Sequence, residues 1–331
     1  MTDTLNAQPA TAGTITLRAW RGLDDIPGMA AANQRLRTET GVLEPIDLPG
    51  MVHRYTHLVN SDPLRDCLVA ERDGQTVGYV RTEWHDLADG DRVLDMTLLA
   101  DPSTWGTDTP RQMLEWAEGH LREQAASIPG DRRTWFATDA FDGDQGLETA
   151  LLAAGYTAVR WGAEMLRPDL ESIEDAPLPE GYTLRSPTTD ELPAVFAMAV
   201  EAFAEHWGEY EGSEQRFDEW VEDPGFRLDL VVVAWKGDEP AAAVSNLLDD
   251  PAEDGSVRGL LDSVCTGVRH RRLGLARAAI TESLRRLKAA GASSAYLGVD
   301  VDNHNRALDL YEACGFRVSS SSTSYRKPFV P

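Results

Sequence analysis

The sequence predicts two consecutive α/β domains, each a sheet flanked by helices. Three observations carry that expectation. The chain has 331 residues, 42% of them hydrophobic, which exceeds the usual single-domain size and allows two ordinary cores. One order of elements is written twice, with corresponding points separated by roughly 160 to 167 positions, a spacing that suits tandem domains rather than a solenoid. An acidic stretch from Arg167 to Gly181 containing three prolines, with neither helical nor strand periodicity, separates the two copies.

Each copy opens with a strand and a helix: Thr14 to Trp20 before Leu23, and Tyr182 to Ser186 before Thr189, with an acidic pair ahead of a proline at each helix start. A hairpin follows, turning at Asp73-Gly74 in the first copy and at Gly237-Asp238 in the second. Next comes an amphipathic helix, from Pro110 to about Ala125 (Met113, Leu114, Ala117, Leu121) and from Leu275 to about Ala290 (Ala276, Ile280, Leu284, Leu287), then another strand. Both copies finish on a short helix ending in a Gly-aromatic step, Gly155-Tyr156 and Gly315-Phe316, where glycine relieves left-handed strain, and on a closing strand. The expected organisation is a flexible tail over 1–13, a first domain over 14–168, a linker over 169–180 and a second domain over 181–331.

A formal charge of -24 disfavours nucleic acid and anionic membrane surfaces as partners, since either needs clustered Lys or Arg. Such acidity serves solubility, and it also favours approach of a cationic amine. Three widely spaced cysteines (Cys67, Cys265, Cys314) supply neither a disulfide framework nor a CxxC metal motif. No stretch approaches the ~20 apolar residues of a membrane span, and the polar N-terminus has no apolar signal region. A cytoplasmic protein without a metal is expected; the sequence is silent on oligomeric state.

Chemistry concentrates in the second copy. The strand from Gly259 to Thr266 leads through Arg271-Arg-Leu-Gly-Leu-Ala276 into a helix, and such a junction presents unpaired N–H groups and the positive end of a helix dipole. Five arginines (Arg258, Arg269, Arg271, Arg272, Arg277) make the region locally positive and suited to phosphate. An alternative is that Gly274 and Ala276 only permit close packing while the arginines cover a solvated face.

At these residues the sequence resembles the GNAT acetyltransferase superfamily, whose acetyl-CoA signature Q/R-x-x-G-x-G/A is matched by Arg271 to Ala276. A second match lies downstream, in Asp302-Asn-His-Asn-Arg-Ala-Leu-Asp-Leu-Tyr-Glu-Ala-Cys-Gly-Phe316. The resemblance implies a mixed, mostly antiparallel sheet with a splayed central strand pair in each domain. It implies that acetyl-CoA, as co-substrate, is held by Arg271, Arg272, Leu273, Gly274, Leu275, Ala276 and Arg277 around the pyrophosphate. Val264, Cys265 and Thr266 would pair with the pantetheine arm, and Asn303 or Asn305 would add a contact. Tyr311 would protonate the departing thiolate; as a helix aromatic it also has a core-packing reading.

Acetyl transfer from a thioester to an amine requires a neutral nucleophile, a stabilised oxyanion and a proton for sulfur. For the base, Glu201 and His206 rank first, with Glu205, Asp262 and water-mediated deprotonation as alternatives. Cys265 has no partner His at a diagnostic position and reads as a small strand residue rather than a nucleophile. In the first copy the corresponding loop, Asp101 to Pro110, lacks the signature, carries Asp101, Asp108 and Trp105, and puts Leu151 where Tyr311 stands. The first domain therefore reads as degenerate, as in tandem members such as the mycothiol synthase-like proteins. The expected function is N-acetylation of a primary amine of a small molecule by direct attack. Rival readings are transfer of a longer acyl group, acylation of a protein amine, or a non-enzymatic CoA-sensing or interaction module.

Overall fold

The computed structural model describes residues 13–42, 46–204, 213–251, 255–302 and 307–330. The first half runs β1 (Thr16–Ala19), α1 (Ile26–Thr40), α2 (Leu48–Thr56), α3 (Pro63–Asp66), β2 (Cys67–Arg72), β3 (Gln75–Asp86), β4 (Arg92–Ala100), α4 (Thr109–Ala125), β5 (Thr134–Phe141), α5 (Gln145–Ala153) and β6 (Thr157–Arg167). The second runs β7 (Thr183–Arg185), α6 (Leu192–Phe203), α7 (Glu214–Glu222), β8 (Val232–Lys236), β9 (Glu239–Leu248), β10 (Arg258–Thr266), α8 (Leu275–Ala289), β11 (Ser294–Asp300), α9 (Ala307–Ala313) and β12 (Arg317–Pro328).

Local chemistry fixes these boundaries. Asp73 and Gly74 take φ of 51° and 80°, which gives the first hairpin a turn whose twist matches its strands. Thr188 and Glu191 form a reciprocal capping box on the approach to α6, and the carboxylate of Asp144 accepts the Leu147 N–H at the start of α5. After α5 the N–H of Tyr156 donates to Leu151 O, and after α9 that of Phe316 donates to Tyr311 O, both at 3.0 Å. The intervening Gly155 and Gly315 have φ of 86° and 85°. The two Gly-aromatic steps thus share one geometry, and Leu151 and Tyr311 occupy equivalent positions.

In both halves one strand pair is parallel and comes apart. β4 pairs with β5 only from Arg92 to Asp95, and β10 pairs with β11 only from Arg258 to Leu260. Beyond those points each pair is splayed. Antiparallel pairing holds the rest of the sheet, with apolar clusters on its faces: α4 and α5 cover Leu94, Met96 and Phe136, while α8 and α9 cover Leu261, Leu297 and Val299.

Two separate sheets are not what forms. The strand order is β1-β2-β3-β4-β5-β12-β6-β11-β10-β9-β8-β7, one continuous sheet of twelve strands among the described residues. The closing strands are exchanged: β12 of the second half pairs with β5, and β6 of the first half pairs with β11, while β6 and β12 pair with each other. Each half contains an unpaired strand edge that the other half's closing strand covers. The segment between Arg167 and Thr183 contains no helix or strand, but it is no free tether, because Leu170 is buried in the second-half core and Lys288 pairs with Glu171. No helix among the described residues is long and apolar enough to cross a membrane.

In the first half the β4–β5 splay begins at an ionisable group. Asp95 stands opposite Glu83 in the β3–β4 register, and burial, reinforced by Asp139 and Glu83, pushes its carboxyl up to about 7.

Two measurements follow from this architecture. Ending the chain before Arg317 removes β12 and is expected to strip hydrogen-exchange protection from β5, whose own sequence is untouched, and to broaden the single thermal transition expected of the full chain. Retained protection in β5 would show that the exchange contributes little. The second concerns Asp95, whose raised folded-state value means that folding favours the protonated acid. Its contribution is fully present below the unfolded value near ~3.9 and is lost as pH rises through 7. Asp95→Asn is therefore expected to raise the melting temperature at pH 8, by about 2–4 °C per kcal/mol of relief, and to leave it unchanged near pH 3.

Candidate active site

The splay between β10 and β11 opens into a cavity of about 1080 Å³. Its walls come from α6, α7, β9, β10, the loop to α8 and the start of that helix, β11 and α9, with Arg160 contributed by β6. Arg160 makes a two-pronged ion pair with Asp300 at 2.9 and 2.8 Å, so a first-half strand holds the far end of β11 in place.

At one end lies the Arg271–Ala276 loop. Arg272 and Gly274 both take positive φ, 64° and 86°, and α8 begins at Gly274 with no side-chain cap. A Cβ built on Gly274 meets nothing within 4 Å. The orphan N–H groups of the first helical turn therefore face open space, with the exposed Arg272 and Arg277 side chains nearby. That combination suits a diphosphate. Arg271 behaves differently: its guanidinium turns back to Ala202 O at 3.0 Å and Thr266 O, tying the loop to α6. His270, bonded to the Tyr182 hydroxyl at 2.9 Å, braces the same loop from below. Leu273 is exposed, whereas Leu275 is buried in a small cluster with Ala241 and Ala242 and anchors the start of the helix.

The middle of the cavity is the bare edge of β10. From Leu261 to Thr266 this strand pairs only with β9, so its β11-facing polar groups have no ladder partner. Val264, Cys265 and Thr266 all line the opening. The Cys265 thiol packs on Met198, and burial pushes it up to about 12, which leaves it protonated and a poor nucleophile. Tyr311 lines the same space from α9; its ring meets Phe316 edge-on at 6.2 Å, and burial raises its phenol above the ordinary value. Such a phenol holds its proton at neutral pH.

A bulge in β10 sits between Leu261 and Ser263. It leaves Asp262 without a partner on β9 and rephases the strand, so that Leu261 and Val264, three apart, pack on the same core. Asp262 lines the cavity, where solvent reaches it although protein surrounds most of the side chain. Burial raises its carboxyl above the ordinary value, Asp223 adds to the shift, and Arg54 of α2 opposes it.

Of the residues ranked first for base chemistry, Glu201 is exposed on α6 and is not brought to the cavity, which that helix lines with Val195, Phe196, Ala199 and Phe203. At 3.6 residues per turn those positions form one stripe, and Glu201 falls on the other side. His206, Asn303 and Asn305 lie outside the described residues. Sequence reasoning missed the far end of the cavity, where Phe196, Trp220 and Phe226 form a ring wall beside Glu219 and Asp223. The i, i+3 spacing of Phe217 and Trp220 in a polar segment was the available signal. Among the described residues no group of three or more His, Cys, Asp or Glu is placed to hold a metal ion.

In the first half the equivalent loop is filled. Asp101 accepts hydrogen bonds from the Ser103 N–H and hydroxyl and pairs with Arg35 at 2.6 Å. Trp105 lies against Gly146, where an added Cβ would collide with the indole, and Leu151 is fully buried in the core.

Residues 192–316 match the family model for the acetyltransferase (GNAT) family. Over 310 residues the chain is 25% identical to a mycothiol acetyltransferase of Clavibacter michiganensis subsp. michiganensis, with 92% of each chain covered. A GCN5-related N-acetyltransferase from Sphaerobacter thermophilus superposes with a TM-score of 0.77 at 18% identity, covering 96% of both chains. A tandem GNAT protein from the clavulanic acid biosynthesis pathway superposes with a TM-score of 0.70 at 17% identity, covering 96% of this chain and 99% of the other. With the splayed strand pair written twice and the signature loop opening onto the cavity of the second half, residues 192–316 form a domain of the GNAT acetyltransferase family, and the chain as a whole has the fold of a tandem GNAT protein.

Proposed function

We propose that this protein transfers the acetyl group of acetyl-CoA to the primary amine of a small molecule by direct attack, in the second half alone. The observation that carries the reading is one continuous cavity joining the uncapped start of α8, the bare edge of β10, Tyr311 and Asp262. The cavity supports a small acceptor, since the reacting groups lie inside it. The first half, with its loop filled by Asp101 and Trp105, serves as scaffold.

Acetyl-CoA brings an activated acyl group as a thioester. The N–H groups from Arg272 to Arg277 would hold its pyrophosphate, and the edge from Val264 to Thr266 would pair with the amides of its pantetheine arm. An N–H on that edge is the donor available to polarise the thioester carbonyl. Asp262 takes the base role in preference to Glu201, because its carboxylate lines the cavity, as that of Glu201 does not, and its raised affinity for protons suits it to accept one. The nitrogen–carbon bond forms as the carbon–sulfur bond breaks. One amine proton passes to Asp262, and the Tyr311 hydroxyl gives its proton to sulfur.

Calorimetric titration of acetyl-CoA tests the site. One site per chain is expected. Gly274→Glu and Gly274→Gln carry the same left-handed strain, so binding should be abolished by the carboxylate and only weakened by the amide. Two sites, or full binding to Gly274→Glu, would overturn the assignment of the halves.

The pH profile tests the roles. Asp262 must be ionised to act and its carboxyl lies above the ordinary value, so kcat/KM is expected to fall on the acid side at a pH above the usual carboxylate range. Asp262→Asn should remove that limb and lower the rate by about 10²-fold or more, and Tyr311→Phe should lower kcat by a similar factor. An unchanged rate in either variant at every pH would refute that residue's role.

A further inference from the structure

The end of the cavity beyond Asp262 has a composition that selects among amines. Its wall is aromatic: Phe196 of α6 stacks with Trp220 of α7 at 6.1 Å, and Trp220 meets Phe226 edge-on at 5.4 Å. Phe217 backs both rings, at 5.4 Å from Phe196 and 6.2 Å from Trp220. The indole is fixed in place, because its Nε1–H donates to Ser245 Oγ at 3.3 Å.

Charge at this end is one-sided. The lining residues supplied by α7, the turn after it and the β10 bulge include one cation, Arg216, and three carboxylates, Glu219, Asp223 and Asp262. Two neighbouring cations temper this without reversing it: Arg160 is committed to Asp300, and Arg54 of α2 acts on Asp262 without lining the cavity. Aromatic faces beside carboxylates attract an ammonium through both ring quadrupole and charge, and they bury an apolar body at the same time. A polyhydroxylated acceptor would instead require a wall of convergent polar groups.

We infer that the acceptor is a primary amine carried on a short alkyl arm by an aromatic or compact apolar body, which lies on the Phe196–Trp220–Phe226 wall with its ammonium toward Asp223 and Asp262. This rests on the reading of the cavity as the transferase site and specifies its substrate class. Asp223 and Glu219 hold the ammonium on arrival, its first proton leaves to solvent, and Asp262, nearest the splay, takes the second proton as the nitrogen–carbon bond forms.

The test uses the full chain with CoA at saturation, titrated in a calorimeter with 2-phenylethylamine, with its neutral analogue 2-phenylethanol and with glucosamine, and then assayed with acetyl-CoA and the two amines. Phenylethylamine is expected to bind and to be acetylated with a kcat/KM about 10-fold or more above that of glucosamine, because both bring an ammonium but only the phenyl ring buries apolar surface on the aromatic wall. Trp220→Ala should weaken both phenyl compounds, Trp220→Phe should retain most of the binding, and Asp223→Asn should weaken the amine while sparing the alcohol. Glucosamine equal or superior to phenylethylamine, or unchanged phenylethylamine affinity in Trp220→Ala, would overturn the inference. If acetyl-CoA binds but phenylethylamine does not, the substrate class fails and the transferase reading stands; if acetyl-CoA itself does not bind, the transferase reading fails.

Discussion

The exchange of β6 and β12 is the constraint on which the rest of the molecule depends. A strand pair that parts company, as β10 and β11 do after Leu260, leaves polar backbone unpaired in the middle of a sheet. Such an opening persists only if each parted strand is held firmly on its other side. β10 has β9 for this, along nearly its whole length. β11 has β6, six consecutive register pairs donated by the other half, and its last residue is clamped by Arg160. Without the exchanged strand, β11 would be an edge, free to move toward β10 and close the gap. The first half is thus mechanically part of the cavity even though Arg160 is its contribution to the lining.

The same logic explains how the first half keeps the shared fold with its loop filled. The cluster of Val80, Leu94, Phe136 and Leu151 draws no residue from the Asp101–Pro110 loop, while Trp105 of that loop packs on the neighbouring cluster around Met29 and Leu36. Asp101 and Trp105 fill that loop with an ion pair and an indole, so the space that an anion occupies in an active domain is used for packing. Leu151 puts an aliphatic side chain at the backbone position where the second half has the phenol of Tyr311, which suits a core. What remains under constraint is β6, because the second half needs it.

Much of this was legible in the sequence, and what was not has a physical reason. The duplicated order of elements, the hairpin turns and the helices at Thr109 and Leu275 rest on local signals, and the structure has them within a residue or so of the expected boundaries. The Gly-x-Ala loop was readable because a helix start with positive φ at Gly274 tolerates few residue types. Strand exchange was not readable. β6 and β12 follow equivalent helices and have similar lengths, so nothing local distinguishes pairing with one's own half from pairing with the other. The short helices α2 and α7 were also missed. Gly50 weakens the helical signal of α2, which is short; Asp47 caps it, Pro49 suits its first turn, and docking of Met51 and Tyr55 on the α1 core completes its stabilisation.

Base chemistry shows the limit of reading from pattern most clearly. Glu201 was favoured because its helix was expected to line the acceptor side, and the helix does line the cavity; but a helix lines a cavity with one stripe, and the stripe is set by Val195, Phe196, Ala199 and Phe203. Asp262 was harder to rank because strict alternation along β10 places it on the face opposite Ser263 and Cys265, and no sequence rule announces a bulge without glycine. The bulge changes that phase by one residue and leaves the carboxylate in the cavity, where burial and Asp223 raise its hold on a proton. A single irregular residue in a strand thereby converts a position that pattern would assign to packing into one that lines the cavity with a raised affinity for a proton.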